Sequence, residues 1–496
     1  MNMLAGIEKP SVTFPAFFRV REVGGAFVVT NAQGDWVILT APEFKAFGEG
    51  TVERGTDLWD RLKAANLIRA EFDVPAAVAR LKKRMKFLDN GPNLHMLVVT
   101  LRCNETCVYC HASRADMTAV ETDMSAEIAE KSVELALGSP SPFITVEFQG
   151  GEPLVNFSVV KHAIEYGQRR AKEIGKSIEF TMVSNLALMD EEKLAFLLDH
   201  KVQICTSIDG PEHLHDKQRK LIGSSAFKAA VHWIKRINQA YIERGLDPSL
   251  YHVEALLTTT REALSRGREI VDTYEALGCK AMFLRPIDPF GFVEKTAHRV
   301  EYPREEYLQF YRDTTDYIIE LNKQGKQVLE RYAAIFMSKI LNGEDPNFLD
   351  IRSPSGAGIS AIAYNYDGLV FAGDEARMMH ETGDDTFLLG KVGELTYDTM
   401  MSHPTIRALV LGSNLNGRPD CVNCAYNPYC GVDGVHTYKT QGSISGRMRE
   451  STVSAVHKGI MDYLFEKIRE GDPETMQVFR RWTINRSRDH FVQDPV

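Results

Sequence analysis

The chain has 496 residues, a formal net charge of −9 at pH 7, 44% hydrophobic residues and 25% charged residues. This composition is typical of a globular protein with two or three domains, and the lack of a long basic block argues against nucleic-acid binding through phosphate contacts. No apolar run approaches the roughly 18 to 20 residues that span a bilayer. Residues 1–15 lack the pattern of a signal peptide. We therefore predict a cytoplasmic protein that does not bind a membrane.

Cysteine usage agrees with a reducing compartment, because six of the eight cysteines lie in two short groups. The groups are Cys103, Cys107 and Cys110, and Cys421, Cys424 and Cys430. Such grouping favours metal binding over disulfides. Cys205 and Cys279 stand alone in apolar, strand-like segments, where we expect buried small side chains.

Residues 1–73 are predicted to form a small N-terminal α+β domain, with turn signals between short strand-like runs. The predicted strands are 17–21, 26–30, 36–39 and 67–70, and the predicted helices are 41–48 and 56–65. The arrangement resembles the winged-helix-like peptide-recognition elements of enzymes that modify ribosomally made peptides. Such elements add a leader peptide as an extra strand at a sheet edge. A structural cap is the alternative, and both interpretations stay open.

Residues 74–92 are predicted to be a linker helix with a solvated basic face. From residue 93 strands alternate with helices, which predicts parallel βα units over 93–290. The predicted strands are 94–101, 143–148, 178–184, 202–207, 251–257 and 280–286, and the predicted helices lie near 125–138, 156–174, 190–199, 225–244 and 262–277. Six units predict an α/β fold with a partial (β/α)6 TIM-like barrel, in which functional residues lie at the carboxyl ends of the strands.

The first cysteine group has the spacing C-x3-C-x2-C and directly follows the strand 94–101. Three thiolates in one loop can hold three irons of a [4Fe–4S] cluster and leave the fourth iron open. A structural zinc site with His111 as fourth ligand is the alternative. The spacing, the preceding strand and Tyr109 resemble the radical S-adenosylmethionine (SAM) superfamily. The resemblance implies a [4Fe–4S] cluster that binds SAM, cleavage to a 5′-deoxyadenosyl radical, and an external reductant such as ferredoxin or flavodoxin.

Motifs after the next strands extend this resemblance. Gly150-Gly151-Glu152-Pro153 matches the family motif that binds the amino group of SAM, and Leu186 stands where many relatives have glycine after the pair 184–185. The resemblance implies cofactor contacts by Gly150, Gly151, Glu152, Ser184, Asn185, Ser207, Arg219 and Arg285. Asp209 and Asp216 are candidate catalytic residues by the same resemblance. Turn and capping roles are the commoner alternative for such aspartates.

The C-terminal part is predicted to comprise a helical connection (291–350), a module with a hairpin at Asp367-Gly368 (351–450), and a helix and tail (451–496). The spacing C-x2-C-x5-C resembles the SPASM/twitch auxiliary-cluster module, and a zinc knuckle is the alternative. Cysteines that relatives carry beside the hairpin and after Cys430 are absent from this sequence. We therefore expect one auxiliary [4Fe–4S] cluster on Cys421, Cys424 and Cys430. Candidates for its fourth ligand are His457, His436 and Asp433.

Most of the chain resembles the B-type radical SAM maturase of the His-Xaa-Ser system. The supporting stretches are 97–104, 146–154, 188–192, 421–426 and 459–465. The resemblance implies oxidation or cross-linking of a ribosomally synthesised precursor peptide, beside a second radical SAM protein. A radical SAM enzyme that acts on a small molecule is one alternative. A non-catalytic partner subunit or metal-stabilised scaffold is another.

Overall fold

A computed structural model describes residues 13–495. The predictions for residues 1–12, which concern a signal peptide and the start of the N-terminal domain, lie outside the described residues. Within residues 13–495, no helix is long and apolar enough to cross a membrane. The cytoplasmic location stays a prediction.

The N-terminal unit is a three-stranded antiparallel sheet covered by two helices, and a third helix follows it. These elements are β1 (Arg19–Val23), β2 (Ala26–Thr30), β3 (Trp36–Leu39), α1 (Ala41–Glu49), α2 (Asp57–Ala64) and α3 (Val74–Met85). The strand order is β1-β2-β3, so β3 has one unpaired edge. The predicted strand 67–70 was wrong, because only Ile68 forms a bridge, with Pro15, before the chain turns into a 3-10 helix.

The third helix, α3, was predicted to be a linker with a solvated face, but several of its basic side chains contact other parts of the protein. Arg80 forms an ion pair with Asp35 at 3.0 Å between Nε and Oδ1. Arg84 donates a hydrogen bond to the carbonyl of Ala32 at 3.2 Å. On the other side, Lys83 donates to the carbonyl of Asn342 at 3.3 Å. These contacts fasten α3 to the N-terminal sheet and to the body of the protein.

The body of the protein is built on a nine-stranded sheet, with two small accessory sheets beside it. The strands of all three sheets, in chain order, are β4 (Leu94–Thr100), β5 (Glu105–Cys107), β6 (Phe143–Gly150), β7 (Ser177–Val183), β8 (Gln203–Ser207), β9 (Arg219–Leu221), β10 (Glu254–Thr258), β11 (Ala281–Met282), β12 (Leu284–Arg285), β13 (Leu329–Glu330), β14 (Ala361–Tyr364), β15 (Leu369–Phe371) and β16 (Leu388–Lys391). The small sheets are β5-β9 and β11-β13. The order of the nine-stranded sheet is β12-β10-β8-β7-β6-β4-β14-β15-β16. All six predicted barrel strands are present and run parallel, in sequence order.

Helices of the predicted βα units pack against this sheet. They are α4 (Ala126–Leu137), α5 (Phe157–Ile174), α6 (Glu191–Asp199), α7 (Glu212–Gln218), α8 (Ala226–Glu243) and α9 (Gly267–Ala276). In α5 the buried positions Val160, Ala163, Ile164 and Gly167 recur at helical spacing, which makes one continuous apolar face. A Cβ on Gly167 would lie 3.0 Å from the ring of Phe180, so α5 and β7 pack closely at this point.

The predicted hairpin at Asp367-Gly368 forms β14 and β15, but it is not a separate sheet. Strand β14 pairs in parallel with β4, in the register Ala361 to Leu94, and so extends the barrel sheet on its other side. The remaining helices are α10 (Val293–Val300), α11 (Arg304–Lys323), α12 (Arg331–Met337), α13 (Asp374–His380), α14 (Tyr397–Met401), α15 (Pro404–Ser413), α16 (Pro419–Val422), α17 (Gly434–Gln441), α18 (Thr452–Glu470) and α19 (Pro473–Trp482).

The C-terminal tail docks onto the barrel. Gln493 forms a bridge with Ile178, near the start of β7, and Arg488 forms an ion pair with Glu254 at the start of β10, at 2.5 Å. Because both contacts lie at the amino-terminal ends of their strands, the tail covers the end of the barrel opposite to the predicted site.

Candidate active site

The first cysteine group lies in the loop that follows β4, at the carboxyl end of that strand. Within the loop, β5 pairs antiparallel with β9, which places Cys107 opposite Arg219. Neither short strand was predicted. The signal was weak, because three-residue strands have no periodicity to read, and the pairing brings together residues 112 positions apart.

Hydrogen-bond donors surround the sulfur atoms of this loop. The Cys103 Sγ accepts from the backbone N–H of Glu105 at 3.4 Å and lies 3.9 Å from Nδ2 of Asn185. The Cys107 Sγ lies 3.8 Å from Nη1 of Arg219. Burial raises the pKa of the Cys103 thiol to about 12 and that of Cys107 well above its usual value. Such thiols ionise only when a metal centre or other positive charge replaces the lost solvation.

Within residues 13–495, no group of three or more His, Cys, Asp or Glu side chains is arranged to hold a single metal ion. A [4Fe–4S] cluster does not need such convergence, because each thiolate binds a different iron. A zinc ion needs four ligands around one point. Three thiols in one loop, with donors around the sulfurs, therefore fit a cluster better than the zinc alternative. His111 is half-buried, its buried Nε2 has no hydrogen-bond partner in the described part, and desolvation lowers the pKa of the ring to about 4.

The predicted glycines hold the end of β6 against the cysteine loop. A Cβ on Gly150 would lie 2.1 Å from the carbonyl oxygen of Thr100, and one on Gly151 would lie 2.4 Å from that of Arg102. Gly150 also has a φ of 140°, which disfavours any residue with a side chain. Both positions therefore require glycine for close backbone approach between two strand ends.

The carboxylate of Glu152 is 1% exposed and accepts three hydrogen bonds from the protein. The donors are the backbone N–H groups of Leu154 (3.0 Å) and Asn185 (2.7 Å) and the Ser184 hydroxyl (2.8 Å). Burial raises the pKa of Glu152 to about 6, although these hydrogen bonds act in the opposite direction. In this structure Glu152 and Ser184 join the ends of β6 and β7, and their contacts with SAM stay a prediction.

Asn185 connects the same region to the cysteine loop, since its Nδ2 donates to Oδ1 of Asn104 at 2.8 Å. The next residue, Leu186, adopts a φ of 63° where relatives were expected to have glycine. This conformation costs a residue with a Cβ about 1–2 kcal/mol. The Leu186 side chain is fully buried, and its packing offsets the strain.

Asp209 and Arg219 form a buried pair beside the loop. Arg219 Nε donates to Oδ2 of Asp209 at 3.1 Å, and the Tyr109 hydroxyl donates to Oδ1 at 2.7 Å. The Arg219 guanidinium also lies over the Tyr109 ring, 5.3 Å from its centroid. Asp209 is fully buried. It is therefore a counter-ion that orients Arg219 and Tyr109, and the catalytic role suggested by the resemblance stays a prediction.

The other predicted residues on this side lie in different surroundings. Asp216 accepts a hydrogen bond from the backbone N–H of Phe227 at 2.9 Å, which supports the capping alternative over a catalytic role. Ser207 is half-buried at the carboxyl end of β8. Arg285 ends β12 and lies 3.9 Å from Asp350, which places it in an acidic cavity described below.

The second cysteine group lies in and after α16. Cys421 belongs to that helix, the N–H of Cys424 donates to the carbonyl of Cys421 at 3.1 Å, and Cys430 follows a turn that closes at Tyr426. Burial raises the pKa of Cys421 to about 11 and that of Cys430 to about 12. The group therefore also needs a positive centre to hold its thiolates.

Of the three predicted fourth ligands, only His457 contacts the group. Its Nδ1 lies 3.7 Å from the Sγ of Cys430, and burial lowers its pKa to about 3, which keeps the ring neutral and able to bind a metal. Asp433 caps α17 through the N–H groups of residues 435 and 436, and accepts from Ser355 at 2.8 Å. His436 lies 3.9 Å from Asp288. The geometry therefore favours His457, and the ligand roles of Asp433 and His436 stay predictions.

The family model described as "Radical SAM superfamily" matches residues 97–252. These residues are a radical SAM domain. The chain therefore contains a domain of the radical SAM type, for which SAM and a [4Fe–4S] cluster are the characteristic cofactors.

One relative in sequence and two solved structures are similar to this chain. The cysteine-type anaerobic sulfatase-maturating enzyme of Clostridium perfringens (strain 13 / Type A) is 23% identical over 351 residues, covering 68% of this chain and 88% of that enzyme. The structure of native anSMEcpe with bound AdoMet and Cp18Cys peptide has a TM-score of 0.61 and 19% identity, covering 79% of this chain and 100% of that chain. Streptococcus suis SuiB bound to precursor peptide SuiA has a TM-score of 0.52 and 13% identity, covering 88% and 98%. At these identities the structural likeness shows the fold alone.

A cavity of about 270 Å³ lies near both cysteine groups, although no cysteine lines it. Ile287 lines it and packs in one cluster with Cys107 and Tyr109, while His457 lines it and contacts Cys430. Its walls are largely apolar, from proline, tyrosine and valine side chains. The finer resemblance to the His-Xaa-Ser maturases stays a prediction.

A smaller cavity of about 70 Å³ shares several walls with the first one. Sequence reasoning named four of its polar residues (Arg285, Asp433, His436 and His457) but missed three of its acids. Arg285, Asp288, Asp350 and Glu375 line it. Burial raises the pKa of Asp350 to about 6, although Arg285 acts to lower it. These acids come from separate loops without a common spacing, so no sequence pattern marks them as one group.

Proposed function

We propose that this protein modifies a ribosomally synthesised precursor peptide by oxidation or cross-linking, through SAM-dependent radical chemistry. Cys103, Cys107 and Cys110 would hold the cluster that binds SAM. The observation that carries the peptide assignment is a groove of about 910 Å³ along β3 of the N-terminal unit. The groove is the right size for a peptide segment, and it adjoins the unpaired edge of that strand.

The groove has the features of a strand-addition site. Trp36 to Leu39 form one wall, and residues of α2, α3 and α18 form the others. The carbonyl of Ile38 points away from β2, because it accepts a hydrogen bond from Arg61 at 2.9 Å. The N–H of Ile38 points the same way in an antiparallel strand, so the edge offers this donor to an added strand, while Arg61 occupies the Ile38 carbonyl.

Two solved structures of similar fold support a peptide substrate. They record SuiB with a precursor peptide and anSMEcpe with a peptide, and this chain shares their fold. We therefore assign the 270 Å³ cavity to the reacting side chain, because Ile287 and His457, which line it, neighbour the two cysteine groups. The partners implied are a precursor peptide, an external one-electron reductant such as ferredoxin or flavodoxin, and a second radical SAM protein.

When bound together, SAM and the cluster supply an adenosyl radical that abstracts a hydrogen atom from the substrate. The residues of the chain position the cysteine loop and place charge beside it. Glu152 and Ser184 fix the strand ends beside the loop. Arg219, oriented by Asp209, places positive charge beside Cys107 and is available to a carboxylate group.

We further propose one auxiliary [4Fe–4S] cluster on Cys421, Cys424 and Cys430, with His457 as the fourth ligand. The distance of 3.7 Å between Nδ1 of His457 and Sγ of Cys430 supports this ligand set. Two sites of three thiols each would give about eight irons per chain in the anaerobically reconstituted protein. About four irons would remain after substitution of Cys103, Cys107 and Cys110 by alanine.

Deletion of the N-terminal unit would not test peptide recognition cleanly, because this unit also packs on the second cysteine group. The Thr30 hydroxyl donates to the carbonyl of Ala425 at 2.8 Å, and the Tyr429 hydroxyl donates to that of Gly34 at 3.0 Å. A point substitution at the strand edge is therefore the better experiment.

Ile38→Pro removes the N–H on the unpaired edge and leaves the pairing with β2 intact. Ile38→Ala keeps that N–H and is the matched control. We expect the proline variant to bind a fluorescently labelled precursor peptide, encoded beside the enzyme, at least tenfold more weakly, while the alanine variant binds within about threefold of wild type. Equal binding by both variants would contradict strand addition. A mass change in the co-expressed peptide, lost on substitution of Cys103, Cys107 and Cys110, tests the modification itself.

A further inference from the structure

Three buried cations surround the second cysteine group. Arg19 on β1 is 5% exposed, Arg418 just before α16 is 2% exposed, and Lys339 after α12 is 6% exposed. Arg19 Nε donates to the carbonyl of Val422 at 2.7 Å, between two of the cysteines. The carbonyl of Arg418 accepts from the N–H of Cys421 at 2.9 Å.

Lys339 is the third cation near the group. It lines a cavity of about 80 Å³ together with Cys430, and its ammonium donates to the carbonyl of Ile351. A Cβ on Gly431 would lie 2.4 Å from the carbonyl carbon of Ile351, so the segment that holds Lys339 lies directly against the end of the cysteine turn.

None of the three cations has a carboxylate partner within residues 13–495. Their hydrogen bonds all go to neutral acceptors, which are backbone carbonyls, the Asn416 amide and the Met448 sulfur. The Arg19 Nη1 atom has no partner at all among the described residues. Asp345 lies near Lys339, but it forms an ion pair with Arg352 at 2.7 Å.

Buried charges of one sign are costly unless an opposite charge lies among them. Burial lowers the pKa of all three cations, that of Lys339 to about 8, and the nearby thiolates act in the opposite direction. Asp345 attracts Lys339 and Asp433 attracts Arg418, whereas the cysteine group attracts all three cations. A cluster ligated by thiolates carries net negative charge, which compensates the three cations.

We propose that Arg19, Lys339 and Arg418 form a cation cage that sets the reduction potential of the centre at Cys421, Cys424 and Cys430. A one-electron reduction adds negative charge to the centre, and the cage stabilises the reduced state by Coulombic attraction. The cage therefore raises the potential. The inference rests on the auxiliary cluster proposed above, but it does not depend on the identity of the substrate.

The first cysteine group has the opposite surroundings. Glu105 and Glu152 are 2% and 1% exposed and lie beside its thiols, and the one cation near Cys107, Arg219, is paired with Asp209. Negatively charged carboxylates disfavour the reduction of a nearby centre and so lower its reduction potential. The centre at residues 421–430 is accordingly predicted to have the higher potential of the two, which makes it the better electron acceptor.

The test uses the full-length chain with Cys103, Cys107 and Cys110 replaced by alanine, so that only the second centre remains. Iron and sulfide content then report whether the auxiliary cluster exists, and a redox titration followed by electron paramagnetic resonance reports its potential. We expect Lys339→Met to lower the reduced fraction about tenfold at a fixed potential, which is a shift of about 59 mV for a one-electron couple. Lys339→Arg, which keeps the charge, should stay near the starting value.

Arg19→Gln is the second variant, because glutamine can still donate to the carbonyl of Val422. It should shift the potential in the same direction as Lys339→Met. Arg449→Gln is the matched control, since that guanidinium is 85% exposed and its charge is screened by water. An intact cluster whose potential is the same in Lys339→Met, Arg19→Gln and Arg449→Gln would overturn the cation cage. Absence of iron from the starting protein would instead overturn the auxiliary cluster.

Discussion

The two cysteine groups offer the same number of thiols but differ in what surrounds them. The group at residues 103–110 lies at the open, carboxyl end of the barrel, beside buried carboxylates and one paired arginine. The group at residues 421–430 is enclosed by α18, by the N-terminal unit and by three cations without carboxylate partners. Ligand spacing alone would make the groups equivalent. Because their surroundings differ, we propose that one group serves SAM chemistry and that the other stores an electron.

The sharpest separation of the two groups comes from single cysteine substitutions. Cys103→Ala should reduce 5′-deoxyadenosine formation by at least 10³-fold, because a thiolate of the SAM-binding cluster is lost. Cys421→Ala should leave SAM cleavage within about tenfold of wild type but abolish the mass change of the peptide. Anaerobic incubation with SAM and dithionite, followed by liquid chromatography, measures the first effect. Equal loss of SAM cleavage in both variants would contradict the division of roles.

Breaking the Arg219 and Asp209 pair should have the next largest effect. Arg219→Gln leaves a fully buried carboxylate without its partner, at a cost of about 3–5 kcal/mol in stability. We expect a clearly lower melting temperature and slower SAM cleavage. The double variant with Asp209→Asn should recover stability but not cleavage, since the guanidinium beside Cys107 is still missing. Recovery of cleavage in the double variant would show that Arg219 acts only through folding.

Replacement of His457 tests whether this histidine is the fourth ligand of the cluster at residues 421–430. His457→Ala should change the resonance spectrum of the second centre and lower its iron content, whereas His457→Cys should retain four irons. The control is His436→Ala, because this ring lies 3.9 Å from Asp288 and does not contact the cysteines. An unchanged spectrum in His457→Ala would exclude this histidine as the fourth ligand.

The smallest expected effect concerns the N-terminal unit and its contact with the second group. Thr30→Val leaves the buried carbonyl of Ala425 without its donor, which costs about 1–2 kcal/mol. Urea unfolding should show this loss, while Thr51→Val at an exposed position should change stability by less than about 0.5 kcal/mol. No loss in Thr30→Val would mean that the N-terminal unit does not support the cysteine turn.

Much of this arrangement was readable from the sequence. Hydrophobic runs and turn residues predicted the six parallel strands, and the motif at residues 150–153 lies beside the cysteine loop as expected. Local patterns carry such information because strand and helix periods are short. The cysteine spacings were equally informative.

Long-range contacts were not readable. The pairing of β14 with β4 joins residues about 270 positions apart, and Arg19 reaches a cysteine turn about 400 positions away. Nothing in the local sequence marks Arg19, Lys339 and Arg418 as one group. The three hydrogen bonds that the Glu152 carboxylate accepts could not be predicted from the sequence either, because their donors come from two different loops.

The most direct test of the account is a redox titration of the wild-type protein with and without SAM, followed by electron paramagnetic resonance. We predict two one-electron transitions, with the centre at residues 421–430 reduced first. Addition of SAM should change the signal of the lower-potential centre alone. A change confined to the higher-potential centre, or a single transition for the whole protein, would contradict the assignment of the two cysteine groups.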